Sequence, residues 1–179
     1  MVRSRLFAVA ILAAVPLAGV VAEDASELAK QVVNDPGAPD VSGAKASLID
    51  DLKVQGGKAL RVQVPRKGNN PWDSTVGGAI KKPIAKGDRL LLLFSARLEK
   101  GEQGATSTTL PYNAIQLTAP PYSTIISGTG QIGPDWNDIQ VSGVADGDYP
   151  AGALKVTIQL ATAKQTVDFG PLVVLDRGR

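Results

Sequence analysis

Hydrophobic and polar residues alternate along most of the chain, and the longest apolar run is GDRLLLLFSARLEK, residues 87–100. Read with a period of two, one side of this run is wholly apolar: Leu90, Leu92, Phe94, Ala96 and Leu98. The other side begins apolar and ends polar: Leu91, Leu93, Ser95, Arg97 and Glu99. This pattern predicts a central strand of a two-layer sandwich. A helix is the competing interpretation, but Gly87-Asp88 opens the run as a turn and the neighbouring stretches also alternate.

Several other stretches alternate in the same way. They are KALRVQVPR (58–66), YNAIQLT (112–118), DWNDIQVSGVA (135–145), ALKVTIQLA (153–161) and QTVDFGPLVVLD (165–176). A strand is also predicted over 72–80, with a bulge at Gly77-Gly78. About eight short strands, separated by Gly and Pro turns and without a convincing helix, predict an all-β jelly-roll sandwich. The last strand should bend at Gly170-Pro171.

The first 22 residues have the three parts of a secretory signal peptide. Arg3 and Arg5 precede an apolar segment, residues 6–15, and Val20-Val21-Ala22 forms a small-residue cleavage site. An uncleaved anchor is the alternative, because the apolar stretch continues past Pro16. We expect export to the periplasm or the outside of the cell, with no membrane span after cleavage. The remaining 157 residues suffice for one domain, with an irregular segment at 23–45 and the sandwich at 46–179.

Composition then excludes several classes of function. The leader contains two of the 19 Lys and Arg, so 17 basic and 17 acidic residues remain and the processed chain is neutral. No basic patch with interleaved aromatics is present, so nucleic acid is not an expected partner. The chain has neither Cys nor His, which excludes a Ser-His-Asp triad, a histidine zinc site and an imidazole base.

Taken in order, the segments resemble a carbohydrate-binding module of the galactose-binding-like jelly-roll superfamily. The segments are KALRVQV, KGNNPWD, IAKGD, LLLFSARLEK, PDWNDIQVSG and LKVTIQLATAKQTVDFGPLVVLD. The closest likeness is to the family four and family nine types that are attached to xylanases, over roughly residues 46–178. The resemblance implies non-catalytic binding of a xylan- or glucan-type polysaccharide or oligosaccharide, by what we expect to be a monomer. Modules of this family can also carry a structural Ca²⁺. Asp168 lies in the closing strand, but one carboxylate does not define such a site and none is assigned.

Sugar recognition needs aromatic faces for the C–H patches of the ring and planar polar groups for its hydroxyls. In a jelly roll these groups lie on strand faces that point away from the core. The ligand-binding residues predicted on this basis are Arg61, Trp72, Arg97, Tyr112, Gln116 and Gln159. A solvated sheet face is the alternative for the polar residues. Trp72 is either a platform for a sugar or a lid on the sandwich, and Trp136 is interpreted as a core residue.

Two other functions stay open from the sequence. A small exported hydrolase or lyase would need two carboxylates about 5 to 9.5 Å apart, and most Asp and Glu residues here fall in turns. An envelope protein that binds another protein would instead present an exposed apolar patch. No catalytic residue, metal ligand or cofactor is assigned.

The leader prediction can be tested directly. Cleavage after Ala22 should leave a protein that begins at Glu23, as measured by mass spectrometry of the protein from its native envelope. An intact Met1 or Val2 terminus in the membrane fraction would instead identify an anchor.

Overall fold

The computed structural model describes residues 25–179, which form a sandwich of two antiparallel β-sheets. The leader predicted at 1–22 lies outside the described residues. The elements in chain order are helix α1 (Ala25–Gln31) and strands β1 (Asp40–Ser42), β2 (Lys45–Asp50), β3 (Lys58–Val64), β4 (Thr75–Ala79), β5 (Arg89–Lys100), β6 (Thr108–Leu117), β7 (Thr124–Ile132), β8 (Asn137–Val144), β9 (Leu154–Gln159), β10 (Gln165–Phe169) and β11 (Val173–Asp176). The predicted all-β jelly-roll sandwich is confirmed.

One sheet has five strands in the order β1-β4-β9-β6-β7. The larger sheet has six strands: β11 and β10 lie along one side of β5, β8 pairs with its other side, and β3 and β2 follow β10. Gly170-Pro171 connects β10 to β11, and both of these strands pair with β5. The predicted bend is therefore present, and the missing N–H of the proline falls between two strands.

Strand β5 occupies the centre of the larger sheet, as its hydrophobic pattern predicts. Its even-numbered positions from Leu90 to Leu98 are all buried and face the other sheet. Leu91 and Leu93 on the outer face are half-buried, and this face becomes polar from Ser95 onward. Phe94 is buried in the core, with its ring centroid 6.1 Å from that of Phe169 on β10.

The described part of the segment predicted to be irregular, residues 25–45, contains regular elements, which corrects that expectation. It contains helix α1 and strand β1, and its residues Val33 and Asn34 connect the two sheets. Val33 N–H donates to Val174 O of β11 at 2.9 Å, and its carbonyl accepts from Lys81 N–H just after β4. Asn34 bonds the backbone of Leu172 and Val174 with its side-chain amide. Sequence periodicity missed this element because helix α1 is only two turns long.

The bulge expected at Gly77-Gly78 is absent, because β4 pairs in continuous register with both β1 and β9. Glycine is needed at position 77 for a different reason. A Cβ on Gly77 would lie 2.0 Å from Val156 O of β9, so only glycine allows these two strands to approach as they do.

No helix within residues 25–179 is both long and apolar enough to cross a bilayer.

Substitution of Phe94 by alanine should lower the free energy of unfolding by about 3 to 5 kcal/mol, because it leaves a cavity between the sheets. Urea unfolding followed by tryptophan fluorescence measures this. Leu52→Ala is the matched control, since Leu52 is 96% exposed and its truncation should change stability little. Equal stabilities of the two variants would contradict the packing described here.

Candidate functional site

The six residues predicted to bind a ligand are divided between two faces of the sandwich. Arg61 on β3 and Arg97 on β5 project from the outer face of the larger sheet. Tyr112, Gln116 and Gln159 project from the outer face of the five-stranded sheet. The predicted residues therefore do not form a single site. Alternation along a strand shows which side chains share a face, but it does not show to which sheet the strand belongs.

The arginines of the larger sheet flank a carboxylate that is fully removed from solvent. Asp168 on β10 pairs in register with Arg61 on one side and Arg97 on the other. Arg61 donates from Nε to Oδ1 at 2.7 Å and from Nη2 to Oδ2 at 2.9 Å. Arg97 donates from Nε and Nη2 to Oδ2, both at 3.0 Å. The hydrogen bonds with Asp168 raise the pKa of Arg61, so both guanidinium groups serve to neutralise this buried carboxylate.

A second layer covers Arg97. The Trp136 ring lies against its guanidinium, with 5.0 Å between Cζ and the ring centroid, and Asp51 accepts from Nη2 at 3.2 Å. Trp136 Nε1 also donates to Asp51 Oδ2 at 3.3 Å, which closes this layer. Glu99 completes the cluster by pairing with Arg61 at 3.1 Å. Trp136 is half-buried on this outer face, so its interpretation as a core residue is wrong.

The layer over Arg97 responds to pH through Asp51. The Lys53 N–H, the Trp136 indole and the charge of Arg97 lower the pKa of Asp51 from its ordinary value of 3.8, while burial acts in the opposite direction. Ionised Asp51 therefore favours the folded state. This contribution is present above the pKa of the unfolded chain and is lost as the pH falls through the lower pKa of the folded protein.

The residues around Asp168 do not resemble a calcium site. Asp168 is enclosed by two cations, whereas Ca²⁺ takes six to eight oxygen ligands. Within residues 25–179, no three Asp or Glu side chains are grouped so that they could hold a metal ion.

The outer face of the five-stranded sheet has a different form, because a row of small residues crosses it at right angles to the strands. Strand register aligns Gly77 with Thr157, Thr157 with Ala114, and Ala114 with Ser127, on four neighbouring strands. Ala114 is fully buried and Thr157 is 7% exposed, although neither faces the core. Larger side chains on both sides of the row must therefore shield it. We call this feature the groove, with these four residues as its floor.

Longer polar side chains form the two walls of the groove. Lys155 and Gln116 are register partners and form one wall, with Thr124 next in the row. Gln159 and Thr75 are partners in the other wall, where Tyr112 lies beside them on β6. Tyr112 Oη lies 2.6 Å from Thr124 Oγ1 in the opposite wall. The Tyr112 side chain therefore bridges the two walls of the groove.

Two exposed aromatic residues lie at the ends of the walls. Tyr122, in the turn before β7, is 50% exposed and has a left-handed backbone with φ of 57°. Lys155 Nζ lies 5.6 Å from the centroid of its ring. Trp72 lies in a 3₁₀ turn, Pro71–Asp73, which bonds Ala161 just beyond Gln159. Because Trp72 is 60% exposed, it does not act as a lid on the sandwich.

Four of the six predicted residues, Trp72, Tyr112, Gln116 and Gln159, thus lie in or beside the groove. The residues that the prediction left out are Lys155, Thr157 and Tyr122. The alternation of LKVTIQ places Lys155 and Thr157 outward with Gln159, so the sequence contains that information. The sequence does not show which strands lie beside β9, and the groove depends on those neighbouring strands.

Comparison with known proteins supports the fold through structure alone. No protein-family model and no curated protein matches the sequence. A CBM4 structure is similar, with a TM-score of 0.60 at 15% identity over 80% of this chain and 89% of that chain. The N-terminal cellulose-binding domain of Cellulomonas fimi beta-1,4-glucanase C gives 0.58 at 15% identity, over 82% and 93%. The CBM22-1 xylan-binding domain of Paenibacillus barcinonensis Xyn10C gives 0.56 at 11% identity, over 79% and 87%.

These likenesses define the class of fold. The chain has the jelly-roll architecture of the carbohydrate-binding modules to which it is similar, and the predicted resemblance is confirmed at the level of fold. It spans nearly the full length of all three modules.

The salt bridges of Asp168 with Arg61 and Arg97 should stabilise the folded protein. Asp168→Ala should lower the free energy of unfolding by about 3 to 5 kcal/mol, because two guanidinium groups lose their shared partner. Arg97→Ala should destabilise the protein as well, instead of changing ligand binding alone. Thermal and urea unfolding measure both effects, with Asp138→Ala on the exposed side of β8 as the control. An Asp168→Ala protein as stable as this control would refute the assignment.

Proposed function

We propose that the protein is an exported, non-catalytic module that binds a polysaccharide or oligosaccharide of the xylan or glucan type. The ligand would lie in the groove across the five-stranded sheet. The groove is the observation that carries this proposal, because its two walls present amide, hydroxyl and aromatic groups on either side of a row of small residues. The resemblance of the fold to cellulose- and xylan-binding modules supports the same class of ligand. Export follows from the predicted leader.

The groove offers the groups that a sugar needs. The ring of Tyr112 provides a surface on which the C–H patch of a pyranose can stack. The amides of Gln116 and Gln159, on opposite walls, can each donate to one sugar hydroxyl and accept from another. Gln116 is only 9% exposed, so neighbouring side chains enclose most of it. Affinity should be modest, with a Kd of about 10 µM to 1 mM, because each hydroxyl gives up water and few aromatic faces are available.

A binding role fits these strands better than a hydrolytic one. Glycoside hydrolysis uses two carboxyl groups on either side of the scissile bond. Strands β4, β6, β7 and β9 contain no Asp or Glu, so the part of the groove that they form lacks such a pair.

The test compares two glutamines on opposite faces of the protein. Gln159→Ala, in the groove wall, should weaken binding of a xylan or glucan oligosaccharide about fivefold, through the loss of about one hydrogen bond. Gln63→Ala, exposed on β3 of the larger sheet, should leave binding unchanged. Calorimetric titration measures affinity, and an assay for new reducing ends should find no cleavage. Absence of binding at millimolar glycan, or equal losses in both variants, would contradict the proposal.

A further inference from the structure

Lys155 is the one charged residue in four of the five strands of the smaller sheet. Strands β4, β6, β7 and β9 read TVGGA, TTLPYNAIQL, TIISGTGQI and LKVTIQ, and they contain no other Asp, Glu, Lys or Arg. The fifth strand, β1, lies at the edge of the sheet and carries Asp40, which is aligned with the groove floor through Gly77. Lys155 is therefore the only formal charge on the four strands that form the floor and walls of the groove.

This ammonium group has no anionic partner. Lys155 forms no salt bridge with any residue of 25–179, whereas Arg61 and Arg97 on the other sheet are fully paired. Its side chain is half-buried in the groove wall, between Ala79 and Gln116. A lysine that is free to move normally extends its charge into water, where hydration is most favourable. Here the ammonium group lies beside an aromatic ring at the edge of the groove.

The ring of Tyr122 accounts for this position. It lies 5.6 Å from Lys155 Nζ, within the range of a cation–π interaction. A cation–π contact restrains an ammonium group while leaving its N–H donors available for a hydrogen-bond acceptor. Lys155 Nζ therefore lies at the groove, in contact with the Tyr122 ring and without an anionic partner among residues 25–179.

We propose that the groove selects an acidic glycan, and that the carboxylate of a hexuronic acid unit binds Lys155 Nζ. This inference rests on the proposed function and specifies its ligand. A carboxylate would form a charge-assisted hydrogen bond, which is shorter and stronger than the bond of a lysine to a sugar hydroxyl. The walls contain no carboxylate that would repel it, and the amides of Gln116 and Gln159 remain available for hydroxyl groups.

A matched pair of ligands separates charge from shape. The probes are oligosaccharides of xylan that bear glucuronic acid side groups, and the same oligosaccharides after reduction of each carboxyl to a primary alcohol. Calorimetric titration at low salt should show the acidic form binding about tenfold more tightly, as expected for one charge-assisted hydrogen bond. The preference should decrease as salt is added.

Three variants assign the preference to Lys155. Lys155→Met keeps an unbranched side chain against Tyr122 and should abolish the preference, whereas Lys155→Arg should retain it. Lys100→Met, at the end of β5 on the other sheet, removes the same charge and should change nothing. A preference that survives Lys155→Met, or that falls equally in Lys100→Met, overturns the inference.

The remaining outcomes distinguish this inference from the function on which it rests. If the wild-type protein binds both forms equally, the acidic ligand is wrong while binding in the groove stands. If neither form binds at millimolar concentration, and a panel of neutral glucan oligosaccharides also fails, the proposed function fails with it.

Discussion

The buried carboxylate of Asp168 constrains the larger sheet more than any other single group. An ionised carboxylate is costly to bury unless charges and hydrogen bonds compensate it, and here two arginines do so from the two adjacent strands. The pairing works in one register only. A slip of one residue in β10 would turn Asp168 into the core and leave both arginines without a partner. Strands β3, β10 and β5 are therefore held in mutual register by electrostatics as well as by their apolar inner faces.

This constraint also decides which face of the sandwich is available to a ligand. The strands of the larger sheet contain eleven charged residues, against two in the strands of the smaller sheet. At the centre of the larger sheet these charges satisfy one another, and Trp136 and Asp51 cover Arg97. An incoming sugar would have to break salt bridges to bind there. The five-stranded sheet carries amides, hydroxyls and one free ammonium group, whose hydrogen bonds are open to exchange with a ligand.

Much of this arrangement could be predicted from local patterns. Period-two alternation correctly predicted the orientation of Leu90 to Leu98 and of Lys155, Thr157 and Gln159. The residues of a strand alternate between apolar and polar when one of its faces is buried, so the strand's own sequence shows which face that is. It failed wherever the partner strand mattered. Arg61 and Arg97 have the same outward pattern as Gln159, yet their position is explained only by Asp168, which is more than 70 residues away from Arg97 in the chain. Helix α1 was not predicted, because a two-turn helix has too few residues to show a clear hydrophobic periodicity.

The groove also depends on the alignment of strands that are distant in the chain. No single segment of the sequence therefore predicts it. Each strand contributes one small outward residue, and only the register brings Gly77, Thr157 and Ala114 into one row. Gly77 is required for close contact between β4 and β9, so the smallest residue of the floor is set by backbone packing. Lys155 and Gln159 then lie on opposite walls, four residues apart on one strand, or about 13 Å. The polysaccharide chain proposed to bind here would run across the strands, between these two walls. Such a chain would pass Tyr112, Lys155 and both glutamines together.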